Sequence, residues 1–354
     1  VRGRDENLEP RTSLETRTAW NPLFGIAVLA ALLLAGCGVS FPAGSPAAVH
    51  GKLTVKNLKL TDAHGAPVQL RGFSTYNISG FDWLVTPAFL KELAAARVDV
   101  LRVAMYTDAY ESGYFLKDGT PNLKVRDIVE NIVQLTGKAG LYCIVDWHTL
   151  RDGNPMTHVG EAAAFFDYMS KKYGSDPHVL YELANEPNGP GVTWDGACRP
   201  YAEHVLAAVR KNAPDALVLI GTPTWDQDVD LAAANPLPPD ANLLYVFHFY
   251  AGTHGQELRD KIAKAARTIP LFCTEWGTTN SEGKGGTFVE QTLTWHDFLD
   301  QYGFSSCNWS LSTVRESASA LDPDYYPGDE KFTDALTPSG KLALQMIQRP
   351  KKSS

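Results

Sequence analysis

From about residue 69 onward, short apolar runs alternate with longer stretches whose apolar residues recur at three- and four-residue steps. The first pattern marks buried strands, the second helices packed on one face. The runs predict strands at 69–73, 100–104, 141–146, 179–184, 217–221, 244–248, 271–275 and 305–309. The helical pattern predicts helices at 87–97, 125–139, 159–173, 200–212, 256–267, 288–302 and 338–348. The last is entered through Thr337 as N-cap, with Pro338 at the first helical position. The fifth unit has only a short helical candidate at 227–234. Strands recur roughly every 27 to 42 residues, the length of a strand-helix-strand unit. Eight such units closing on themselves predict an α/β fold, a (β/α)8 TIM barrel. An open doubly wound sheet is the competitor, but no glycine-rich phosphate turn follows the first strand. Ahead of the barrel, residues 52–60 alternate, Asp62-Ala63-His64-Gly65 reads as a turn and 67–69 as a return. This predicts an N-terminal β-hairpin placed to plug the barrel bottom.

The first fifty residues break the pattern. Arg11 and Arg17 precede an apolar run at 23–35, too short for a comfortable membrane span and suited to a signal-peptide core. Leu34-Ala35-Gly36-Cys37 resembles a bacterial lipoprotein cleavage box, which implies that Cys37 becomes the lipidated first residue; an ordinary secretory signal is the alternative. Residues 1–37 are thus expected to be a signal, 38–50 a flexible tether rich in Pro and small residues, and 51–350 the catalytic barrel. Export is expected, to the cell surface or outer membrane as a lipoprotein or as a secreted protein, with membrane contact only through the anchor.

The chain has 354 residues, 44% hydrophobic and 20% charged, with net charge −8. That charge, with no basic stripe to offset it, argues against a nucleic-acid partner. Cys143, Cys273 and Cys307 fall in predicted strands and Cys198 near a helix start. They lack the spacing of a metal knuckle and read as packing residues. No cofactor or metal is expected, and a monomer is.

The candidate chemistry sits at the strand ends. Glu186 in Leu183-Ala184-Asn185-Glu186-Pro187 and Glu275 in Cys273-Thr274-Glu275-Trp276-Gly277 each follow a buried-looking run. Burying an ionised carboxylate is costly unless it is paired, so two of them point to the acid and nucleophile of glycoside cleavage. The other ends read Arg102, Asp146-Trp147-His148, Trp225, His248-Phe249-Tyr250 and Asn308-Trp309, groups that hydrogen-bond or stack on a sugar. In a barrel these ends form the active face. Glu182, further back on the strand before Glu186, reads as a structural ion-pair partner. Two other readings stand: a metal-dependent barrel hydrolase using Asp146, His148 and His248, and a surface lipoprotein that binds glycans without cutting them.

Together these segments resemble glycoside hydrolase family 5, in particular its bacterial endoglucanase subgroup. The matching set is Arg102-Val103-Ala104-Met105-Tyr106-Thr107, Val145-Asp146-Trp147-His148, Tyr181 through Gly189, Phe247 through Gln256, Thr274-Glu275-Trp276-Gly277 and Asn308-Trp309-Ser310-Leu311. The resemblance implies a retaining endo-β-1,4-glucanase acting on a polysaccharide, with mannan, mixed-linkage glucan and xyloglucan as alternative substrates. It implies Glu186 as general acid/base and Glu275 as nucleophile. Arg102 and Tyr250 would hold Glu275, Asn185 the sugar 2-hydroxyl, and His148 and His248 the sugar hydroxyls or the carboxylates. Trp309, Trp225, Tyr106 and Glu316 would bind substrate. Two places depart from the subgroup. Tyr76-Asn77-Ile78-Ser79-Gly80 replaces a segment with His and a stacking Trp, leaving Phe81 or Trp83 as substitutes. Val314 stands where a sugar-binding Lys is usual.

Overall fold

The barrel strands are apolar on both faces because both are covered, by the barrel interior on one side and by helices on the other. The computed structural model describes residues 39–240 and 242–351; the expected signal and Cys37 lie outside them. A short hairpin, β1 (Thr54–Lys56) and β2 (Lys59–Thr61), precedes eight barrel strands. These are β3 (Arg71–Thr75), β4 (Val100–Tyr106), β5 (Tyr142–His148), β6 (Val179–Glu182), β7 (Leu217–Ile220), β8 (Leu243–Tyr250), β9 (Leu271–Gly277) and β10 (Ser306–Leu311). They are parallel and close in sequence order, β10 pairing with both β3 and β9. A helix follows each strand, from Pro87–Ala95 after β3 to Pro338–Ile347 after β10. The expected (β/α)8 barrel is the observed fold. Among the described residues no helix is long and apolar enough to cross a membrane.

The differences are at element ends. Strands β4, β5, β8, β9 and β10 each run two residues past the predicted apolar stretch, because the ladder continues through His148, Tyr250 and the Trp276-Gly277 pair. Strand β6 instead stops at Glu182, so Glu186 stands beyond the strand in a loop. The hairpin turns at Asn57-Leu58, both at positive φ. The expected turn at 62–65 forms second, with Asp62 Oδ1 accepting the N–H groups of His64 and Ala66.

The barrel interior is a separate apolar cluster. Leu53, Leu60 and Val68 from the hairpin region pack with Leu180, Leu219, Val246 and Phe272 from the strands, so the hairpin does plug the bottom. The expected tether is corrected from Phe41 onward. The Phe41 ring meets His178 edge-on, residues Pro46–His50 form one helical turn, and the Ala47 N–H donates to the Gly140 carbonyl. Pro42 and Pro46 restrict the backbone, and Ala47 has apolar surface to bury, so this stretch docks.

Candidate active site

Period-two alternation decides which strand-end residues point inward. Asp146, His148, His248, Tyr250 and Glu275 face the barrel mouth. Their neighbours Trp147, Phe249 and Trp276 turn outward into the helix layer, Trp147 against Phe165 and Phe249 against Trp295. Those outward residues, read from sequence among the groups available to a sugar, are core.

Arg102 on β4 organises the floor. It is fully buried and forks onto Glu182 at 2.8 and 3.0 Å, with Glu275 Oε2 at 2.9 Å, Asp146 Oδ2 at 3.0 Å and Asn185 Oδ1 at 2.7 Å. Burial works against its charge, but Asp146, Glu182 and Glu275 outweigh that and hold the guanidinium well above its ordinary value. Glu182 is the ion-pair partner expected.

Glu275 accepts from Arg102 on one oxygen and from the Tyr250 hydroxyl, at 2.7 Å, on the other. Burial and the Glu275 charge push the Tyr250 phenol far up, so it remains a donor. Its ring lies on Gly277, where an added Cβ would fall 2.2 Å from a ring carbon; this close approach explains the glycine after Trp276.

Glu186 is held differently. Its φ is +45°, a strained conformation for a glutamate, and its peptide N–H donates to Asp226 Oδ2 at 2.8 Å. Burial first, then the charges of Glu275 and Asp226, push its carboxyl well above the ordinary range. His248 Nδ1 lies 3.1 Å from Glu186 Oε1, and Nε2 lies 2.9 Å from Thr274 Oγ1. The Thr274 hydroxyl donates to Glu182, so it accepts the His248 Nε2 proton. Nδ1 is then a bare acceptor facing Glu186, and a protonated Glu186 satisfies it. Burial and the Arg102 charge hold His248 neutral, consistent with that donor order. The two carboxyls bring oxygens within 4.8 Å of one another and of His248. These three groups could in principle ligate a cation, but both His248 nitrogens are already engaged. Among the described residues no cluster unites Asp146, His148 and His248; Asp146 and His148 bond each other at 2.7 Å, and His248 groups with Glu186 and Glu275 instead. Burial lowers His148 to about 3, so it is neutral.

Around this pit, Tyr106 stacks on His148 at 4.6 Å and His148 lies parallel to Trp309 at 5.2 Å. Asn185 also donates to the Thr149 carbonyl and keeps one amide hydrogen. Trp225 is 48% exposed and stands between two cleft halves, about 340 Å³ toward Tyr76, Tyr106 and Arg151, and about 410 Å³ toward His254 and Ser281. Glu316 is half-buried on the rim, its charge adding to the burial that raises the phenol of Tyr76. Arg315 turns away to Asp324 at 3.0 Å, and the cation that acts on Glu316 is Lys284. All eleven candidate residues thus lie in or beside one cleft. Asp226 and the Thr274 hydroxyl were missed. Asp226 sits in Thr224-Trp225-Asp226-Gln227-Asp228, a polar stretch that reads as a solvated turn, and nothing in the sequence marks it as buried.

A barrel with two carboxyls facing each other across its C-terminal mouth has the layout of a glycoside-cleaving enzyme. The chain belongs to glycosyl hydrolase family 5: the family's cellulase model matches residues 61–314. It is 43% identical over 317 residues to endoglucanase N of Pectobacterium atrosepticum, covering 88% of this chain and 69% of that one. Against endoglucanase A of Evansella cellulosilytica identity is 42% over 286 residues, covering 80% and 57%. The chain therefore spans little more than half to two thirds of these relatives' lengths. Among solved structures, the cellulase Cel5C_n superposes with TM-score 0.84 at 40% identity, covering 88% of this chain and 96% of that one. The catalytic domain of Thermobifida fusca endoglucanase Cel5A does so with TM-score 0.78 at 31% identity, covering 86% and 100%.

Proposed function

We propose that the protein is a retaining endo-β-1,4-glucanase acting on cellulose-like glucans. The observation that carries this reading is the pair of carboxyls, close together yet in opposite environments. Their separation, at most 4.8 Å between facing oxygens, is that of direct nucleophilic attack; an inverting enzyme needs about 6.5–9.5 Å to seat a water. Glu275, held by Arg102 and Tyr250, is the nucleophile. Glu186, its proton facing the bare nitrogen of His248, is the acid that protonates the leaving oxygen and later the base that activates water. The remaining amide hydrogen of Asn185 serves the sugar 2-hydroxyl. His148 binds sugar hydroxyls, Trp309 and Tyr106 face the sugar at the cleavage point, Trp225 stacks on the chain beyond it, and Glu316 binds hydroxyls on the rim. The relatives are named endoglucanases, which favours glucan over mannan or xyloglucan.

A reducing-sugar assay on β-glucans, mannan and xylan tests the reading, with Glu186→Gln and Glu275→Gln alongside. Hydrolysis strongest on β-1,4-glucan and lost in both variants is expected. An inverted first anomer by NMR would sink the retaining mechanism. Residues 1–37 are read in the same proposal as an export signal with lipid attachment at Cys37. Labelled palmitate incorporated by the full chain, and lost in Cys37→Ala, tests that part.

A further inference from the structure

Asp226 is a fully buried carboxylate with no Lys or Arg ion pair among the described residues. Its oxygens divide between two peptide N–H donors. Oδ1 accepts from Thr222 at 2.5 Å and Oδ2 from Glu186 at 2.8 Å, while Oδ2 also stands 3.6 Å from His248 Nδ1. It ends a run of three left-handed residues, Thr224, Trp225 and Asp226, at φ of 58°, 55° and 58°. Such residues cost on the order of 1–3 kcal/mol each and persist only where their surroundings enforce them. A second tie, from the Trp225 N–H to the Pro187 carbonyl at 3.3 Å, joins the same two loops. A buried, strained carboxylate without a cationic partner is costly to keep, so it needs a reason.

We propose that Asp226 is a positioning residue for the acid: it clamps the Glu186 backbone in its left-handed conformation, joins it to the Trp225 platform, and sets a fixed negative charge beside the Glu186 carboxyl. The proposal rests on the reading of Glu186 as proton donor. Both Asp226 oxygens accept N–H groups, and the bare His248 Nδ1 lies nearer Glu186, at 3.1 Å, than Asp226, at 3.6 Å, so the contacts of Asp226 suit the ionised form. Burial, with the nearby Glu182, holds the Asp226 carboxyl well above its ordinary range against the pull of the two N–H donors and Arg102; the ionised form rests on the two N–H bonds that its oxygens accept. His248 faces both carboxyls with a bare nitrogen, so the cluster has one position that demands a proton, between Glu186 and His248. Glu275 and Asp146 add repulsion on Glu186 from other strands and Arg102 opposes it; Tyr250 lies nearby as a neutral donor. Asp226 differs from Glu275 in that it is never esterified during the reaction. When Glu275 becomes an ester in the covalent intermediate its charge disappears, and Asp226 remains to act on Glu186.

The test is the pH dependence of kcat/KM in the intact protein and in Asp226→Asn, on a cellooligosaccharide and on a dinitrophenyl cellobioside, whose leaving group needs little protonation. In the variant the alkaline limb should move about one pH unit lower on the cellooligosaccharide. The loss at the original optimum should be about tenfold greater there than on the dinitrophenyl substrate. Asp226→Glu, which keeps the charge, should restore the limb. Equal losses on both substrates with an unmoved limb would overturn the proposal and leave Asp226 a loop anchor. Should Asp226→Asn fail to fold, carboxyl carbon NMR of the unaltered protein decides, since a protonated Asp226 at the activity optimum is incompatible with the proposal. An unaltered protein inactive on every glucan would instead refute the functional reading itself.

Discussion

Two buried arginines stand on neighbouring barrel strands, Arg71 at the start of β3 and Arg102 within β4, and they do opposite work. Arg71 meets one carboxylate, Asp300, at 2.6 Å, and spends its other donors on the Gln69 side chain and the carbonyls of Met346 and Arg349. It thereby fastens the end of the last helix to the first barrel strand, a favoured place for a cation. Burial lowers its pKa, since a single close partner only partly offsets desolvation. Arg102 meets three carboxylates and its pKa is raised. At the barrel bottom a buried charge is nearly balanced and serves stability; at the mouth acidic groups exceed the cation, and the excess leaves one carboxyl able to hold a proton. The same residue type thus sits in a nearly balanced cluster at one end of the barrel and in an acid-rich one at the other, according to the count of its partners.

The comparison breaks if changes at the mouth fail to act on rate. Glu275→Gln should lower kcat by at least about 10⁴-fold, with the circular dichroism spectrum unchanged. Glu186→Gln should lower kcat on polysaccharide by about 10²–10⁴-fold and should also stabilise the fold. Because burial raises the Glu186 pKa in the folded chain, the native state holds a proton that the unfolded state releases above about pH 4.5. Stability therefore falls as pH rises from there toward the folded value. The thermal midpoint of Glu186→Gln minus that of the unaltered protein should widen over that interval; a constant difference would contradict the assignment.

Arg71→Met should show the reverse pattern. Leaving Asp300 buried with only the more distant Arg349, at 3.6 Å, and the Gln69 amide, at 3.3 Å, should cost about 3 kcal/mol by denaturant titration, while kcat/KM at 25 °C stays close to that of the unaltered protein. Adding Asp300→Leu should recover most of the loss. A large fall in kcat/KM in the folded single variant would mean that the two ends are coupled.

Much of this layout was legible in the sequence. The eight strands were readable because strands covered on both faces are continuously apolar, and their ends were misplaced where polar residues such as His148 and Tyr250 continue the ladder. The site was legible where motifs cluster, at Arg102, Asn185-Glu186, His248-Phe249-Tyr250 and Glu275. What stayed hidden depends on three-dimensional accidents: which of two adjacent residues faces inward, as with Trp147 and His148, and the burial of Asp226. The docking of Phe41 and Ala47 was hidden for a related reason, since small residues and prolines read alike in a tether and in a packed edge.

The smallest expected effect lies at the rim, where neither arginine reaches. Trp83 stacks face to face on Tyr326, centroids 5.2 Å apart and planes 4° apart, and Phe81 links Trp83 to Tyr76. Tyr76 in turn leans on Trp309 and Tyr106. This aromatic row leads out of the pit from the departed segment 76–80, and the outer ring, Tyr326, is 54% exposed. Losing one ring–sugar contact is worth about 0.5–1.5 kcal/mol, so Tyr326→Ala should raise KM on long cellooligosaccharides roughly two- to tenfold. KM on a short aryl cellobioside should move far less, because that substrate does not extend to the outer ring. Equal shifts on both would mean that the row only supports the Trp309 side of the pit. A shift confined to long chains would make the rim a zone of its own, where neither stability nor the chemical step is set and chain length is read.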